Sequence, residues 1–389
     1  MHKVVYLGCV VPKVIADAIR TKCSYYDIPG DVLQNALISG FDAVSDLHVV
    51  TSPNIKGIEG GMLDSFDFSH NGIATDFCVG FRDWPLVREL SVANKFLDTL
   101  NRSGHIDIIF IYSIGISQLL AAKRYKKKHP DVKVIEMITD IPMFMREHPS
   151  LGYKIAKGIV TKINYGLMKC VDGFALLSMV MSEHIPTRNK PVVQIEGIFD
   201  SGCVSLPSVQ KGKNILYSGN LGKRYGIIDL LEAFTRTSID YKLQICGVGD
   251  GVDEIKRYAE KDNRIKFLGS LTRKEVLRLQ RESSLLINPR HRTDAFTRYS
   301  FPSKTMEYMA SGTPTLMSEL DCLPADYKRH LYFFDDESIE GMARKIEEIC
   351  SKPQEELDAF GEAASEFILK NKNAAAQVRK MLEALGMPA

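Results

Sequence analysis

The sequence predicts an α/β protein with two Rossmann-like, doubly wound domains. Its 389 residues suggest about two domains, because a single hydrophobic core stops growing near 250–300 residues. Short apolar runs alternate with helix-length amphipathic segments, a pattern typical of parallel sheets flanked by helices. The alternation stops at a polar stretch, 201–213, and then restarts. We therefore place one domain at 1–200, a second at 201–370 and a closing helix at 371–389.

The composition limits the function classes. Hydrophobic residues make up 45% and charged residues 25% of the chain, as in ordinary soluble globular proteins. A net charge of +2 indicates no nucleic-acid partner. The 8 cysteines are scattered without a Cys-x-x-Cys pair, and no apolar run reaches the ~20 residues of a membrane span. We expect a cytoplasmic protein without disulfides, a zinc site or a signal peptide.

The first domain is predicted from apolar strands at 2–7, 47–51, 107–112, 133–139 and 173–178, with helices near 85–101, 116–127 and 152–169. Asp140 directly follows the fourth of these strands. Ligands of open α/β sheets bind at the carboxyl ends of strands, which favours a functional role for Asp140. The alternative is a carboxylate that caps the turn before Pro142.

A basic stretch covers two helices of this domain. Its residues are Lys123, Arg124, Lys126, Lys127, Lys128, Lys154, Lys157, Lys162 and Lys169. Ile155, Ile159, Ile163 and Leu167 recur every four residues, which indicates an amphipathic helix. The stretch is either a solvated face or a surface that docks on anionic lipid.

The second domain begins with a strand at 214–217 and a glycine-rich loop, 218–226. Glycines permit close backbone approach, and Lys223 or Arg224 can reach a diphosphate; the alternative is an exposed basic turn. Further strands are predicted at 241–246, 264–269 and 284–288. In the loop that follows, Arg290 or Arg292 is a second candidate for phosphate contact. The turn 247–251 is a weak dinucleotide fingerprint, since its third glycine comes one residue early.

Residues 300–314 predict a loop, a short helix and a turn. Ser303 is the expected N-cap, and Gly312 with Pro314 ends the helix. Unpaired amides of three residues at the helix start form an anion site: Ser303, Lys304 and Thr305. Glu307 lies one turn further on and suits the diol of a ribose. The alternative is a capped core helix with an exposed glutamate.

The segment Phe301 to Pro314 reads Phe-Pro-Ser-Lys-x-x-Glu-Tyr-Met-Ala-x-Gly-x-Pro. It resembles the nucleotide-sugar motif of retaining glycosyltransferases of family four, in the variant carried by a branch that builds bacterial surface polysaccharides. Phe301 and Glu307 match the family's Phe and second Glu, while Tyr299 replaces its first Glu and Pro302 its Gly. The resemblance implies the GT-B fold, with two domains facing across a cleft. It also implies a donor site on the second domain and an acceptor site on the first.

Other segments extend this resemblance. Gly219, Leu221 and Gly226 match the family's glycine-rich loop, but Asn220 and Tyr225 occupy its two basic positions, so Lys223 and then Arg224 are inferred to supply the phosphate charge. Phe267 and Leu268 match a strand whose end offers backbone groups to the base. Asp140 matches a family Asp, with Thr139 in place of the preceding His.

The resemblance implies a retaining glycosyltransferase that moves a sugar from a nucleotide donor, expected to be UDP-linked, to a glycan or lipid-linked acceptor. Asp140 and Lys223 are the predicted catalytic residues. No Asp-x-Asp signature occurs, so we expect neither a metal nor a cofactor. No pair of carboxylates for a double displacement is evident, so the front-face mechanism that the resemblance implies is expected. Two alternatives stay open: a nucleotide-sugar epimerase, and an inactive paralogue that serves as a partner subunit. Contact with the inner membrane face through the basic stretch is also expected.

Overall fold

The computed structural model describes residues 1–141, 151–199, 209–293, 295–299 and 301–388. Most of the predicted linker, 201–208, lies outside these residues, as does Pro142. The chain forms two compact units. Unit 1 comprises Met1–Ile198 with Ala374–Ala389, and unit 2 comprises Phe199–Asn373.

Unit 1 is built on a mainly parallel sheet. Its strands, with those of two small antiparallel sheets, are β1 (Lys3–Gly8), β2 (Tyr25–Tyr26), β3 (Asp46–Thr51), β4 (Ile55–Lys56), β5 (Met62–Leu63), β6 (Phe66–Phe68), β7 (Asp76–Cys78), β8 (Phe81–Arg82), β9 (Ile108–Tyr112), β10 (Lys133–Ile138), β11 (Gly173–Leu176) and β12 (Val192–Gln194). The main sheet has the order β12-β11-β10-β9-β1-β3-β7-β6, with β6 antiparallel to β7. Strand β1 lies inside the sheet, between β9 and β3. Its residues Val4 to Leu7 are fully buried, as expected for a strand that is covered on both faces.

The helices that flank this sheet are α1 (Lys13–Lys22), α2 (Ile28–Asp42), α3 (Pro85–Arg102), α4 (Ile116–Lys128) and α5 (Leu151–Leu167). Asp27 caps α2, since its Oδ1 accepts a hydrogen bond from the Gly30 amide. The predicted spans of α3, α4 and α5 agree with the structure to within two residues at each end. Helices α1 and α2 were not predicted.

Three of the four residues of the α5 stripe face outward, and only the fourth, Leu167, is buried. Ile155 and Ile159 are each 58% exposed and Ile163 is 45% exposed. Asn164, which lies outside the stripe, is buried as well. The repeat of four therefore identifies a helix, but it does not identify the buried face.

Unit 2 contains a fully parallel sheet of β13 (Gly212–Asn220), β14 (Lys242–Val248), β15 (Ile265–Phe267), β16 (Ser283–Asn288), β17 (Thr315–Met317) and β18 (Tyr332–Phe333). Its helices are α6 (Ile227–Thr235), α7 (Val252–Lys261), α8 (Arg273–Glu282), α9 (Ser303–Ala310), α10 (Ile339–Cys350) and α11 (Gln354–Asn371). The order β15-β14-β13-β16-β17-β18 reverses direction between β13 and β16. Ligands of doubly wound sheets bind at such a switch point, outside the carboxyl ends of the strands. The predicted α/β class, with a separate sheet in each half, is confirmed.

The last helix, α12 (Ala374–Ala384), belongs to unit 1. It packs against α2 so closely that a Cβ atom on Gly40 would lie 2.4 Å from the Ala374 carbonyl oxygen. The Gln377 side-chain amide donates to the Gly197 carbonyl at 2.7 Å. Over the described residues, no helix is both long and apolar enough to cross a membrane.

Candidate functional site

The switch point of unit 2 brings two loops together. Strands β13 and β16 run parallel with Leu216 opposite Leu286, so the loops that follow them leave the same edge of the sheet. The first of these loops is the glycine-rich turn at 221–226, and the second starts at Pro289. Helix α9, which carries the predicted nucleotide residues, follows the second loop in the chain.

Helix α9 begins differently from the prediction. Pro302 occupies the cap position and no side chain caps the helix, so Ser303 is the first helical residue and its predicted role as N-cap is wrong. The Thr305 amide already donates to the Pro302 carbonyl at 2.8 Å. Thr305 is also fully buried, with its hydroxyl 3.7 Å from the Met317 sulfur. Ser303 and Lys304, which are exposed, are left as the candidate donors to an anion.

Glu307 is held by two neighbours. Its Oε1 accepts hydrogen bonds from the Lys304 ammonium at 2.7 Å and from the Gln280 amide at 2.8 Å. The Glu307 side chain is 15% exposed, which does not fit the alternative of a solvent-exposed glutamate. It lines a cavity of about 660 Å³ between α8, α9 and α11, together with Arg273 and Arg281. Two hydrogen bonds therefore orient the Glu307 carboxylate at the wall of this cavity.

A buried polar chain links Glu307 to strand β13. Gln280 is fully buried and also donates to the Ser218 hydroxyl at 3.3 Å. The Tyr308 hydroxyl accepts from the Ser218 amide at 2.8 Å and donates to the Ser218 carbonyl at 2.9 Å. Sequence reasoning missed both residues. A signal existed for Gln280, since it lies four residues after Val276 on the partly buried apolar face of α8.

The backbone of the glycine-rich loop is already hydrogen-bonded. The Gly222 amide donates to the Asn220 side-chain oxygen at 2.8 Å, and the Lys223 amide donates to Asp250 at 2.9 Å. The Lys223 ammonium pairs with Glu254 at 2.6 Å, which raises the pKa of Lys223. The Gly219 carbonyl packs on Gly247, where a Cβ atom would lie only 1.8 Å from it. Lys223 therefore has a partner that its predicted contact with a diphosphate would have to displace.

Two guanidinium groups lie against one tyrosine in this loop. The Arg224 guanidinium carbon is 5.2 Å and that of Arg290 is 4.7 Å from the ring centre of Tyr225. Arg292, the other candidate in the second loop, donates to Asp321 at 3.0 Å. Arg290 and Arg292, which were equal candidates from the sequence, therefore differ in their contacts: Arg290 lies against a ring and Arg292 is bound to a carboxylate.

The remaining predicted nucleotide contacts lie closer to the core. Phe301 is 7% exposed and packs against the Tyr327 ring at 5.5 Å, so its side chain belongs to the core of unit 2. Phe267 packs partly against the same unit's core. The Leu268 amide, expected to be open to a base, already donates to the Ile245 carbonyl at 2.8 Å.

The carboxyl edge of the unit 1 sheet is acidic. Asp140 follows β10, and its pKa is raised by desolvation and then by the charge of Asp27. Asp31 accepts a hydrogen bond from the Tyr26 hydroxyl at 2.6 Å, and burial raises the pKa of Asp31 to about 6. Asp140 therefore lies in a negative field at the edge where ligands of such sheets bind.

The basic stretch of unit 1 is mostly exposed where it is described. Lys126 is an exception, since it pairs with Asp172. The Lys154 side chain lies outside the described part of the chain. The exposed members are Lys123, Arg124, Lys127, Lys128, Lys162 and Lys169.

Comparison with known proteins finds similarity to glycosyltransferases. Residues 204–385 match the family model "Glycosyl transferases group 1". A search of curated proteins found no match. The match over unit 2 supports a glycosyltransferase family for this chain.

Solved structures resemble the chain over its whole length. The lipopolysaccharide outer core galactosyltransferase WaaB is 16% identical, with a TM-score of 0.62 over 99% of both chains. Alr3699/HepE of Anabaena, solved in complex with UDP, is 14% identical with a TM-score of 0.64 over 99% of both chains. A UDP-forming trehalose-phosphate synthase from Burkholderia xenovorans is 12% identical with a TM-score of 0.62 over 99% of both. The chain therefore has the GT-B fold.

Proposed function

We propose that this protein is a retaining glycosyltransferase that transfers a sugar from a UDP-linked donor to a glycan or lipid-linked acceptor, in the synthesis of a surface polysaccharide or glycoconjugate. The observation that carries the proposal is the fixed carboxylate of Glu307. It lies one turn from the exposed start of α9, in the unit that matches a glycosyltransferase family. A carboxylate suits the ribose diol, and the helix start suits a phosphate.

The main catalytic need is stabilisation of the leaving diphosphate. Negative charge builds up on the diphosphate as the sugar–phosphate bond breaks, and fixed cationic donors lower the energy of that state. Lys223 and Arg224 in the glycine-rich loop, with the start of α9, are the proposed donors. They would do this without a metal. Asp140, in its negative field, is the proposed acceptor-side residue, since a carboxylate there can orient a sugar hydroxyl.

The acceptor domain is proposed to meet the inner membrane face. The support is the exposed lysines of α4 and α5 beside the outward isoleucines of α5. Anionic lipid attracts each nearby lysine by about 1 kcal/mol. Exposed Ile155 and Ile159 offer apolar surface to the headgroup region. A lipid-linked acceptor would be found at that surface.

The test is to incubate the purified protein with a panel of UDP-sugars and lipid-linked or soluble glycans and to measure UDP release. Acceptor-dependent release from one donor, with the anomeric configuration preserved in the product and no loss in EDTA, is expected. Product with inverted configuration would contradict retention, and loss in EDTA would contradict metal independence. Tight UDP binding without turnover of any donor would favour an inactive partner subunit.

A further inference from the structure

The basic side chains at the switch point differ in whether their charge is already paired. Lys223 is bound to Glu254, and Arg292 is bound to Asp321. Arg290 takes part in no ion pair between residues that the structure describes. Its guanidinium is partly buried against Tyr225 instead. A partly buried cation without a carboxylate partner among the described residues can bind an anion without losing an ion pair of that kind.

The position of Arg290 is set by a close backbone contact. Gly226 adopts a φ of +76°, and a Cβ atom there would lie 1.9 Å from the Pro289 carbonyl oxygen. Only glycine permits both the conformation and this approach. The loop that carries Arg290 is thereby held against the end of the glycine-rich turn.

The same tyrosine ring contacts Arg224, so two positive groups share one platform. Each guanidinium is attracted to the face of the ring, but the two repel each other. An anion between them would remove that repulsion. A guanidinium also presents planar, paired donors that match two phosphate oxygens at once.

Most amides of the glycine-rich loop are already hydrogen-bonded. The amides of Gly222 and Lys223 donate to side chains, and those of Tyr225 and Gly226 donate to carbonyls inside the turn. A phosphate at the glycine-rich loop is therefore bound mainly by side chains.

We propose that Arg290, with Arg224 and with Tyr225 as their platform, binds the diphosphate of the nucleotide donor. This assigns to Arg290 the larger share of the phosphate charge, with Lys223 as a weaker donor, and it rests on the proposed function. Because the two guanidinium groups are held in place before the donor binds, they can stabilise the charge that develops on the leaving diphosphate.

The experiment compares the binding of UDP, UMP and uridine by calorimetry. Arg290→Gln should weaken UDP binding about 10- to 100-fold, since a charge-assisted hydrogen bond is lost. The affinity of Arg290→Gln for uridine should not change, and its affinity for UMP should fall less than its affinity for UDP. Arg290→Lys should fall between wild type and Arg290→Gln. Lys223→Gln should lose less affinity for UDP than Arg290→Gln does.

Arg236→Gln is the matched control, because Arg236 is an exposed arginine of the same unit that pairs with Glu232. It should bind UDP as the wild type does. Thermal unfolding of each variant separates a folding defect from a binding defect. Tyr225→Leu keeps both charges but removes the ring on which they pack. It should therefore also weaken the binding of UDP more than that of uridine.

The outcomes separate this inference from the proposed function. The inference is overturned, and the proposed function stands, if the wild type binds UDP and Arg290→Gln binds it with equal affinity. The same holds if Arg290→Gln loses as much affinity for uridine as for UDP. If the wild type binds no nucleoside diphosphate from a set containing UDP, GDP and ADP, both are overturned. A selective loss of UDP in Arg290→Gln, with Arg236→Gln unchanged, supports the assignment.

Discussion

The two units share a doubly wound topology, but the charged groups at the carboxyl edges of their sheets are arranged differently. In unit 2 this edge holds the cations of the glycine-rich turn and of the loop at Arg290. In unit 1 it holds Asp27, Asp31 and Asp140, and the last two have raised pKa values. A guanidinium such as that of Arg290 attracts a diphosphate, whereas a carboxylate such as Asp140 repels it and can accept a hydrogen bond from a sugar hydroxyl.

The difference shows where specificity lies in such a fold. The strands set the edge, and the loops set its chemistry. In unit 2 the cations are mostly paired or stacked before any ligand binds. In unit 1 the carboxylates are crowded and partly desolvated instead. The predictions below test each side of this contrast.

The largest expected effect concerns the acidic edge. The pKa of Asp31 is raised from 3.8 to about 6, so its contribution to stability is fully present below pH 3.8 and is lost as the pH rises through about 6. Relative to Asp31→Asn, which does not titrate, the wild type should lose about 2–3 kcal/mol of unfolding free energy between pH 4 and 7. Urea unfolding followed by Trp84 fluorescence measures this, since the single tryptophan lies in unit 1.

Asp17→Asn is the control for this titration, because the Asp17 side chain is fully exposed on α1. Its difference from wild type should change much less over the same pH range. A pH-independent difference for Asp31→Asn would contradict a desolvated carboxylate at this edge.

The next effect concerns the basic edge. Glu307→Gln should weaken UDP binding by about 1.5–3 kcal/mol, since a charge-assisted hydrogen bond to the ribose would be lost. Calorimetry with UDP is the measurement, and Glu319→Gln, a half-exposed glutamate of the same unit, is the control. Unchanged affinity would leave Glu307 with only its contacts to Lys304 and Gln280.

A smaller effect is expected at the buried support. Gln280→Met removes the hydrogen bonds to Glu307 and Ser218 and should weaken UDP binding by about 1 kcal/mol. If Gln280 acts by orienting Glu307, the double variant with Glu307→Gln should lose less than the sum of the single losses. Additive losses would mean that Gln280 has an independent role.

The smallest effect per residue concerns the outer face of unit 1. Co-sedimentation with anionic liposomes should be strong at low salt and lost near 1 M, where the Debye length falls from about 10 Å at 0.1 M to about 3 Å. Reversing the charge of Lys123, Lys127 and Lys128 should reduce it without altering UDP binding. The same reversal at three exposed lysines of unit 2 is the control: Lys256, Lys261 and Lys274. Equal loss in both variants, or no wild-type binding at low salt, would make the basic stretch a solvated face.

The fold could be predicted because the central strands of both sheets contain short apolar runs between turns. The stripe of α5 shows the limit of this reasoning. Its period identifies a helix, but the buried face depends on which residues contact α4 and the turn after Leu167. Ser303 shows a second limit. Its residue type suits a cap, yet Pro302 takes that position, and propensity alone does not decide between neighbours.

The candidate site could be predicted only in part. The spacing from Ser303 to Glu307 places both on α9, as the structure has them. The pairing of Lys223 with Glu254 joins residues 31 positions apart, so no local pattern indicates it. The same holds for the contact of Arg290 with Tyr225. Charges on loops are visible in a sequence, but their partners are set by the tertiary fold.

The return of α12 to unit 1 has a consequence for synthesis on the ribosome. Unit 2 is continuous, Phe199–Asn373, and can fold as soon as it emerges. Unit 1 lacks Val378, Met381 and Leu382 of its core until α12 has left the exit tunnel. The core of unit 1 is therefore completed after that of unit 2. Until α12 packs, the nascent chain exposes the apolar surface of α2 that α12 covers. Chaperone occupancy should be greatest during that interval, and a fragment that ends at Asn373 should aggregate through unit 1.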